Sequence, residues 1–137
     1  MATFNGNKKA KLEANNRLSL PKHFFKAIDE DERNELLLTM ETGSCILVYP
    51  RSRWDERLDR LADENFEENS GKLWKIRGLQ QKMLPVKVDR LGRFYLPNNL
   101  KEKAGIDKEV TLLGMRTRIE IWPTDVLEEQ IQKYAAK

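Results

Sequence analysis

The chain has 137 residues and carries 25 Lys and Arg against 22 Asp and Glu, a net charge of +3. That length buries a real core in one compact unit, and a single cysteine, Cys45, excludes an intramolecular disulfide framework. No apolar run reaches membrane-spanning length and the N-terminus shows no secretory h-region, so a cytoplasmic protein without a membrane partner is expected.

The region from Phe4 to Leu20 reads as paired strands, with Asn5-Gly6-Asn7 as an early turn or bulge and Lys8, Lys9 and Lys11 directly after it. Pro21 to Ile28 predicts a short helix with Pro at its first position and Phe24, Phe25 and Ile28 on its apolar side. Asp29 to Glu32 is an acidic run, expected as solvated surface. Leu36 to Thr39 and Cys45 to Tyr49 are apolar strands joined through Thr42-Gly43-Ser44. An amphipathic helix follows, with Ser52 as N-cap, Asp55 three residues on, and Trp54, Leu58 and Leu61 on one face.

Asn69-Ser70-Gly71 breaks the chain, and Leu73, Trp74, Ile76, Leu79 and Met83 predict a further helix, limited by Gly78 and Pro85. Leu84, Val86 and Val88 then alternate ahead of a tight turn, and Phe94 and Leu96 alternate behind it. Pro97 to Ala104 repeats the short helix and ends at Gly105. Val110 to Leu113 and Ile119 to Trp122 are strands joined around Met115-Arg116-Thr117-Arg118. The last helix takes Thr124 or Asp125 as cap and sets Leu127, Ile131 and Tyr134 at i, i+4 and i+7.

One eleven-residue stretch occurs twice. Lys11-Leu12-Glu13-Ala14-Asn15-Asn16-Arg17-Leu18-Ser19-Leu20-Pro21 matches Lys87-Val88-Asp89-Arg90-Leu91-Gly92-Arg93-Phe94-Tyr95-Leu96-Pro97 in its Lys, Arg, Leu and Pro. Each copy has an acid four residues before the arginine. That spacing also suits a helical ion pair, but Gly92 and Pro97 oppose a helix and the flanking alternation favours strands. The motif reads as a hairpin whose acid and arginine bracket the turn. Gly92 and Asn16 are residue types that tolerate the left-handed backbone such a turn needs. Ile46-Leu47-Val48-Tyr49-Pro50 and Ile119-Glu120-Ile121-Trp122-Pro123 form a second matched pair, so a duplicated domain with internal two-fold pseudo-symmetry is expected.

These paired acid-x-x-x-Arg turns, each followed by an apolar-x-Leu-Pro, resemble the MraZ family, from Phe4-x-Gly6 at one end to Ile121-Trp122 at the other. The resemblance implies an α+β fold of two pseudo-symmetric AbrB-like swapped-hairpin half-barrels with added helices, residues 1–68 and 69–137 forming one duplicated unit. It also implies a sequence-specific transcriptional regulator of the bacterial division and cell-wall gene cluster. Such a regulator would be nucleoid-associated, and it would bind short repeated boxes in double-stranded DNA as a ring-shaped homo-oligomer. Trp54, Leu58, Leu61 and Phe66 are expected to pack on a neighbouring subunit. The other reading of the same half-barrel is an antitoxin-like protein that binds a protein partner.

Charge is unevenly distributed: residues 1–28 carry +5, residues 29–71 carry −8, residues 72–118 carry +8 and the remainder −2. Both copies of the repeated stretch therefore lie in basic segments. Basic surface suits a polyanionic partner, while complementary segments that neutralise one another explain the same numbers. Arg17 and Arg93 each have two open roles: bonding to the acid of their own turn (Glu13 or Asp89), or presentation to phosphate or a guanine edge. Glu13-Ala14-Asn15-Asn16-Arg17 departs from the Asp and Gly usual in the family, yet it sits among Lys8, Lys9, Lys11 and Lys22. The candidate DNA contacts are accordingly Arg17, Lys8, Lys9, Lys11, Asn15, Asn16, Lys22 and Arg93, with Glu13, Asp89 and Gly92 as structural turn partners. One His and one Cys cannot furnish a tetrahedral metal site, no phosphate-cradling glycine loop is present, and neither catalysis nor a cofactor is expected.

Overall fold

The computed structural model describes residues 1–41, 43–62 and 70–135. In chain order they form β1 (Asn7–Lys11), β2 (Arg17–Ser19), α1 (Lys22–Ala27), β3 (Glu35–Thr39), β4 (Ile46–Tyr49), α2 (Arg51–Leu61), α3 (Gly71–Lys82), β5 (Leu84–Lys87), β6 (Arg93–Tyr95), α4 (Asn98–Ala104), β7 (Glu109–Gly114), β8 (Ile119–Pro123) and α5 (Thr124–Ala135). The result is an α+β architecture. Six strands form an antiparallel sheet in the order β1-β7-β8-β4-β3-β5, and β2 and β6 pair as a separate two-stranded ribbon.

The expected hairpin differs in one respect. The turn after β1 is tight, but its two arms do not ladder with each other: β1 pairs with β7, and β2 pairs with β6. The same holds in the second copy, where β5 pairs with β3. Each arm is short, and its apolar residues are covered better by the matching copy than by its own neighbour. Leu18 and Phe94 lie opposite each other and are both buried. Arg17 pairs with Tyr95 and Ser19 with Arg93 around them, so exchanging the two strands leaves the pattern unchanged. The central β4–β8 pair behaves alike: Ile46 opposes Ile121 and Val48 opposes Ile119 around Leu47–Glu120.

Alternation along the strands separates two apolar clusters. Leu36, Leu38, Ile46, Val48, Val110, Leu112, Ile119 and Ile121 face the main core with Leu18 and Phe94 of the ribbon, Phe24 of α1 and Leu100 of α4. Leu37, Cys45, Leu47 and Tyr49 face the other way, against Trp54 of α2 and Leu79 of α3. Cys45 is a small buried group there, its thiol pKa pushed up to about 12, mainly by burial. A polar network completes this side: Arg57 and Arg118 donate to the Tyr49 hydroxyl at 2.8 and 3.1 Å, and Trp122 Nε1 donates to the Glu120 carboxylate at 2.9 Å.

Three helix expectations need correction. Ser52 does not cap α2. Pro50 occupies the cap position, so Ser52 falls inside the first turn, where its N–H and hydroxyl donate to the Glu32 carboxylate at 2.6 and 2.8 Å. The acidic run is therefore more than solvated surface: one of its carboxylates satisfies a helix N-terminus, where negative charge is favoured. Trp54 is buried against Tyr49 of its own chain (ring centroids 5.3 Å apart) and is not available to a neighbour, whereas Phe66 lies outside the described residues. On α5 only Leu127 is buried; Ile131 and Tyr134 are exposed although they continue its stripe.

Candidate nucleic-acid interface

The two copies of the repeated turn meet on the β2–β6 ribbon. Both are closed by the same backbone bond, Glu13 N–H to Arg17 O at 2.8 Å and Asp89 N–H to Arg93 O at 2.9 Å. They are stitched together by a reciprocal pair, Leu20 N–H to Gly92 O and Leu96 N–H to Asn16 O, each 2.9 Å. With Leu18 and Phe94 pointing inward, alternation sends Arg17, Ser19, Arg93 and Tyr95 to the outer face. Two arginines from distant parts of the chain thus share one outward surface, and rigid apolar packing lies beneath them.

In the second turn, Asp89 Oδ1 accepts from the N–H groups of Leu91 and Arg93, both at 2.9 Å, and its Oδ2 accepts from Arg93 Nε at 2.8 Å. These bonds, led by the Arg93 backbone N–H, hold the Asp89 carboxyl below its ordinary pKa. Gly92 has φ +83°, and a Cβ there would stand 3.3 Å from the Phe25 ring of α1. Only glycine meets both demands without strain. The first turn keeps the closing bond but turns differently inside it, with Arg17 N–H donating to Ala14 O where the second turn has Gly92 N–H donating to Asp89 O. Asn15 and Asn16 both have positive φ (61° and 62°), and Lys101 Nζ of α4 donates to the Asn16 side chain at 3.2 Å.

Glu13 does not hold Arg17 as Asp89 holds Arg93. The Glu13 carboxylate accepts from Ser19 Oγ at 3.5 Å, and Arg17 crosses the ribbon to donate to the Tyr95 hydroxyl at 2.6 Å. Its guanidinium carbon stands 5.0 Å from the centroid of the Tyr95 ring. The Tyr95 bond raises the guanidinium pKa further above its ordinary value, so Arg17 stays cationic at every working pH.

The remaining predicted contacts divide between two faces. Ala10 packs toward the main core, so Lys8, two residues before it, lies on the ribbon's side of the sheet, and Lys9 and Lys11 lie on the opposite side. Lys9 pairs there with Glu128 of α5 at 3.1 Å. Lys22 is exposed at the start of α1, just beyond the Leu20 bond to the second turn. The structure therefore brings Arg17, Asn15, Asn16 and Arg93 together with the turn partners, and it sets Lys9 and Lys11 apart from them.

Tyr95 is the residue that the sequence reading missed. Its signal was present: in a strand, a residue two beyond Arg93 shares Arg93's face. Arg90 and Leu91 complete the second tip, and Leu91 is 71% exposed despite its apolar side chain.

The family profile described as "MraZ protein, putative antitoxin-like" matches residues 3–75 and 84–137. A protein named transcriptional regulator MraZ from Pseudoalteromonas atlantica is 31% identical, over 97% of this chain and 88% of its own length. One of the same name from an Acidovorax species is 33% identical over 87% of this chain and 81% of its own. A third, from Desulforamulus reducens, is 29% identical over 98% and 88% respectively. A profile match over most of the chain, carried by both copies of the turn, establishes that the chain belongs to the MraZ family.

Proposed function

We propose that the protein is a DNA-binding transcriptional regulator that meets duplex DNA with the outer face of the β2–β6 ribbon and its two turns. The supporting observation is the placement of Arg17 and Arg93 on one solvent-facing surface, related by the approximate two-fold of the ribbon. A two-fold protein surface suits the two-fold relation between DNA strands. An arginine on a rigid turn can also present parallel N–H groups to a guanine edge or a phosphate. The relatives' name, transcriptional regulator, supports the same reading.

In finer terms, residues 1–68 and 69–137 are the two AbrB-like swapped-hairpin halves of one duplicated unit. The interchange of strands between β1–β7 and β5–β3 supports this description. The working form is a ring-shaped homo-oligomer in the cytoplasm, on the nucleoid, that reads short repeated boxes upstream of the division and cell-wall genes. Each subunit offers few base contacts, and several subunits engaging spaced repeats at once raise affinity well above that of one.

Arg17→Ala tests the proposal. In a gel shift against the promoter upstream of the protein's own gene, the variant loses the repeat-specific complex while its circular dichroism and assembly mass match wild type. Wild-type-like binding by that variant at physiological salt would remove Arg17 from the interface. Lys8→Ala weakens all DNA about equally and flattens the salt dependence of log affinity by roughly one for the lost phosphate contact.

A further inference from the structure

The apex of the second turn carries an apolar side chain among cationic ones. Gly92 N–H donates to Asp89 O at 3.0 Å, so Arg90 and Leu91 are the central residues of a β-turn. Both are exposed, while Val88 and Gly92 on either side of the turn are buried. The pair therefore projects from a packed base, where Gly92 backs onto Leu20 and the Phe25 ring of α1. The Leu91 N–H is held by Asp89 Oδ1 at 2.9 Å, the same oxygen that takes the Arg93 N–H at 2.9 Å. The apex is thus pinned from within the turn, and it holds Leu91 out at 71% exposure.

The first turn differs at the matching place. Its inner bond lies one residue later, with Arg17 N–H donating to Ala14 O, and its central residues are Asn15 and Asn16. Leu91 aligns with Asn15, which is also exposed, so one apex offers an amide where the other offers an isobutyl group. A lone exposed leucine on a protein surface needs no explanation. This one, however, stands between Arg90 and Arg93, at the tip of a ribbon whose outer face carries Arg17 and Tyr95. Phosphates and guanine edges satisfy the arginines and offer a leucine nothing. In the major groove, which admits a two-stranded β-ribbon, the apolar group on the base edges is the thymine methyl.

We propose that Leu91 is a specificity-determining residue that packs on the 5-methyl group of thymine in the major groove. The inference rests on the DNA-binding reading of the ribbon and adds to it the base that one tip selects. Arg90 and Arg93 hold the tip to phosphate or guanine on either side, and Leu91 gains an apolar contact only where a thymine lies beneath it. The amino groups of cytosine and adenine would be left unpaired against its side chain, which adds discrimination against both. The amide of Asn15 suits adenine N6 and N7 instead, so the two tips do not select the same base.

The probe is the promoter fragment upstream of the protein's own gene, amplified once with dTTP and once with dUTP. The uracil fragment keeps every hydrogen-bonding group and loses only the thymine methyls. In gel shifts of the full chain with nonspecific duplex as competitor, the wild type binds the uracil fragment about threefold to tenfold more weakly. Leu91→Ala binds the thymine fragment about as weakly as the wild type binds the uracil one, and it no longer distinguishes the two. Its melting temperature matches wild type, since the side chain it loses is exposed. Equal wild-type affinity for the two fragments would overturn the proposal and leave the DNA-binding reading standing, whereas the lack of any specific complex with the thymine fragment would remove both. A thymine preference that survived Leu91→Ala would mean that Leu91 acts otherwise, for example as a wedge between base pairs, and the proposal would fall.

Discussion

The two turns share their closing backbone bond, differ inside it, and treat their arginines in opposite ways. Asp89 is short enough to fold back on the N–H groups of Leu91 and Arg93 and still receive Arg93 Nε, so acid, turn and arginine form one rigid unit. Glu13 is one methylene longer, and its carboxylate bonds to Ser19, leaving Arg17 to cross to Tyr95. In the first turn the backbone shape is carried by two left-handed asparagines instead of by a carboxylate. Two copies of one sequence stretch therefore keep their closing bond while the two cationic tips diverge, one clamped and one carried on an aromatic face.

The severest challenge to that comparison is to remove what the turns share. Leu18 and Phe94 anchor the ribbon at equivalent positions, both fully buried. Leu18→Ala is expected to cost about 2–5 kcal/mol and Phe94→Ala about 3–5 kcal/mol, read from urea unfolding. A cost below about 1 kcal/mol at either position would mean that the ribbon is not held from both sides.

Next in size comes the left-handed residue itself. Gly92→Ala puts a Cβ on a backbone at φ +83° and within 3.3 Å of Phe25, for an expected loss of about 2 kcal/mol. Asn16→Gly asks the reverse at φ 62° and is expected to be neutral within about 0.5 kcal/mol. Equal losses from the two substitutions would show that Asn16 depends on its side-chain bond to Lys101 and not on its backbone alone.

Much of this was legible in the sequence. The strands and helices fall close to their expected places because period-two and period-3.6 patterns report which residues share a face. The equivalence of Asn16 and Gly92 followed from the alignment of the two copies. Pairing was not legible, since an alternating strand such as β5 carries no mark of which partner it meets. The Arg17–Tyr95 contact depended on that pairing and was lost with it. The Glu32 cap on α2 bridges 20 positions, beyond any local signal. For α5, periodicity announced a stripe but could not say whether anything covers Ile131 and Tyr134.

A smaller effect separates the tips in function. If Arg17 is delivered to DNA by Tyr95, then Tyr95→Phe removes the 2.6 Å bond but keeps the ring beneath the guanidinium. Specific affinity is expected to fall about threefold to tenfold, the range of one typical net hydrogen bond. In an Arg17→Ala background the same substitution changes nothing, because coupled residues are not additive. Additive losses would make Tyr95 a DNA contact in its own right.

The gentlest probe is pH, read at the turn whose carboxylate clamps its arginine. Asp89 has a folded-state pKa held below the unfolded value of about 3.9. Protons therefore bind the unfolded turn more readily than the folded one. The stabilisation is complete above that unfolded value and is lost as pH falls through the lower folded one. Acidification should release Arg93 Nε and the Leu91 amide together, visible as joint chemical-shift changes and faster amide exchange in NMR. Over the same interval Arg17, whose guanidinium pKa is raised by its bond to Tyr95, should stay cationic and keep that bond. If Arg17 moved along with Arg93, the reciprocal bonds between Leu20, Gly92, Leu96 and Asn16 would be transmitting the opening, and the two tips would have to be treated as one mechanical element.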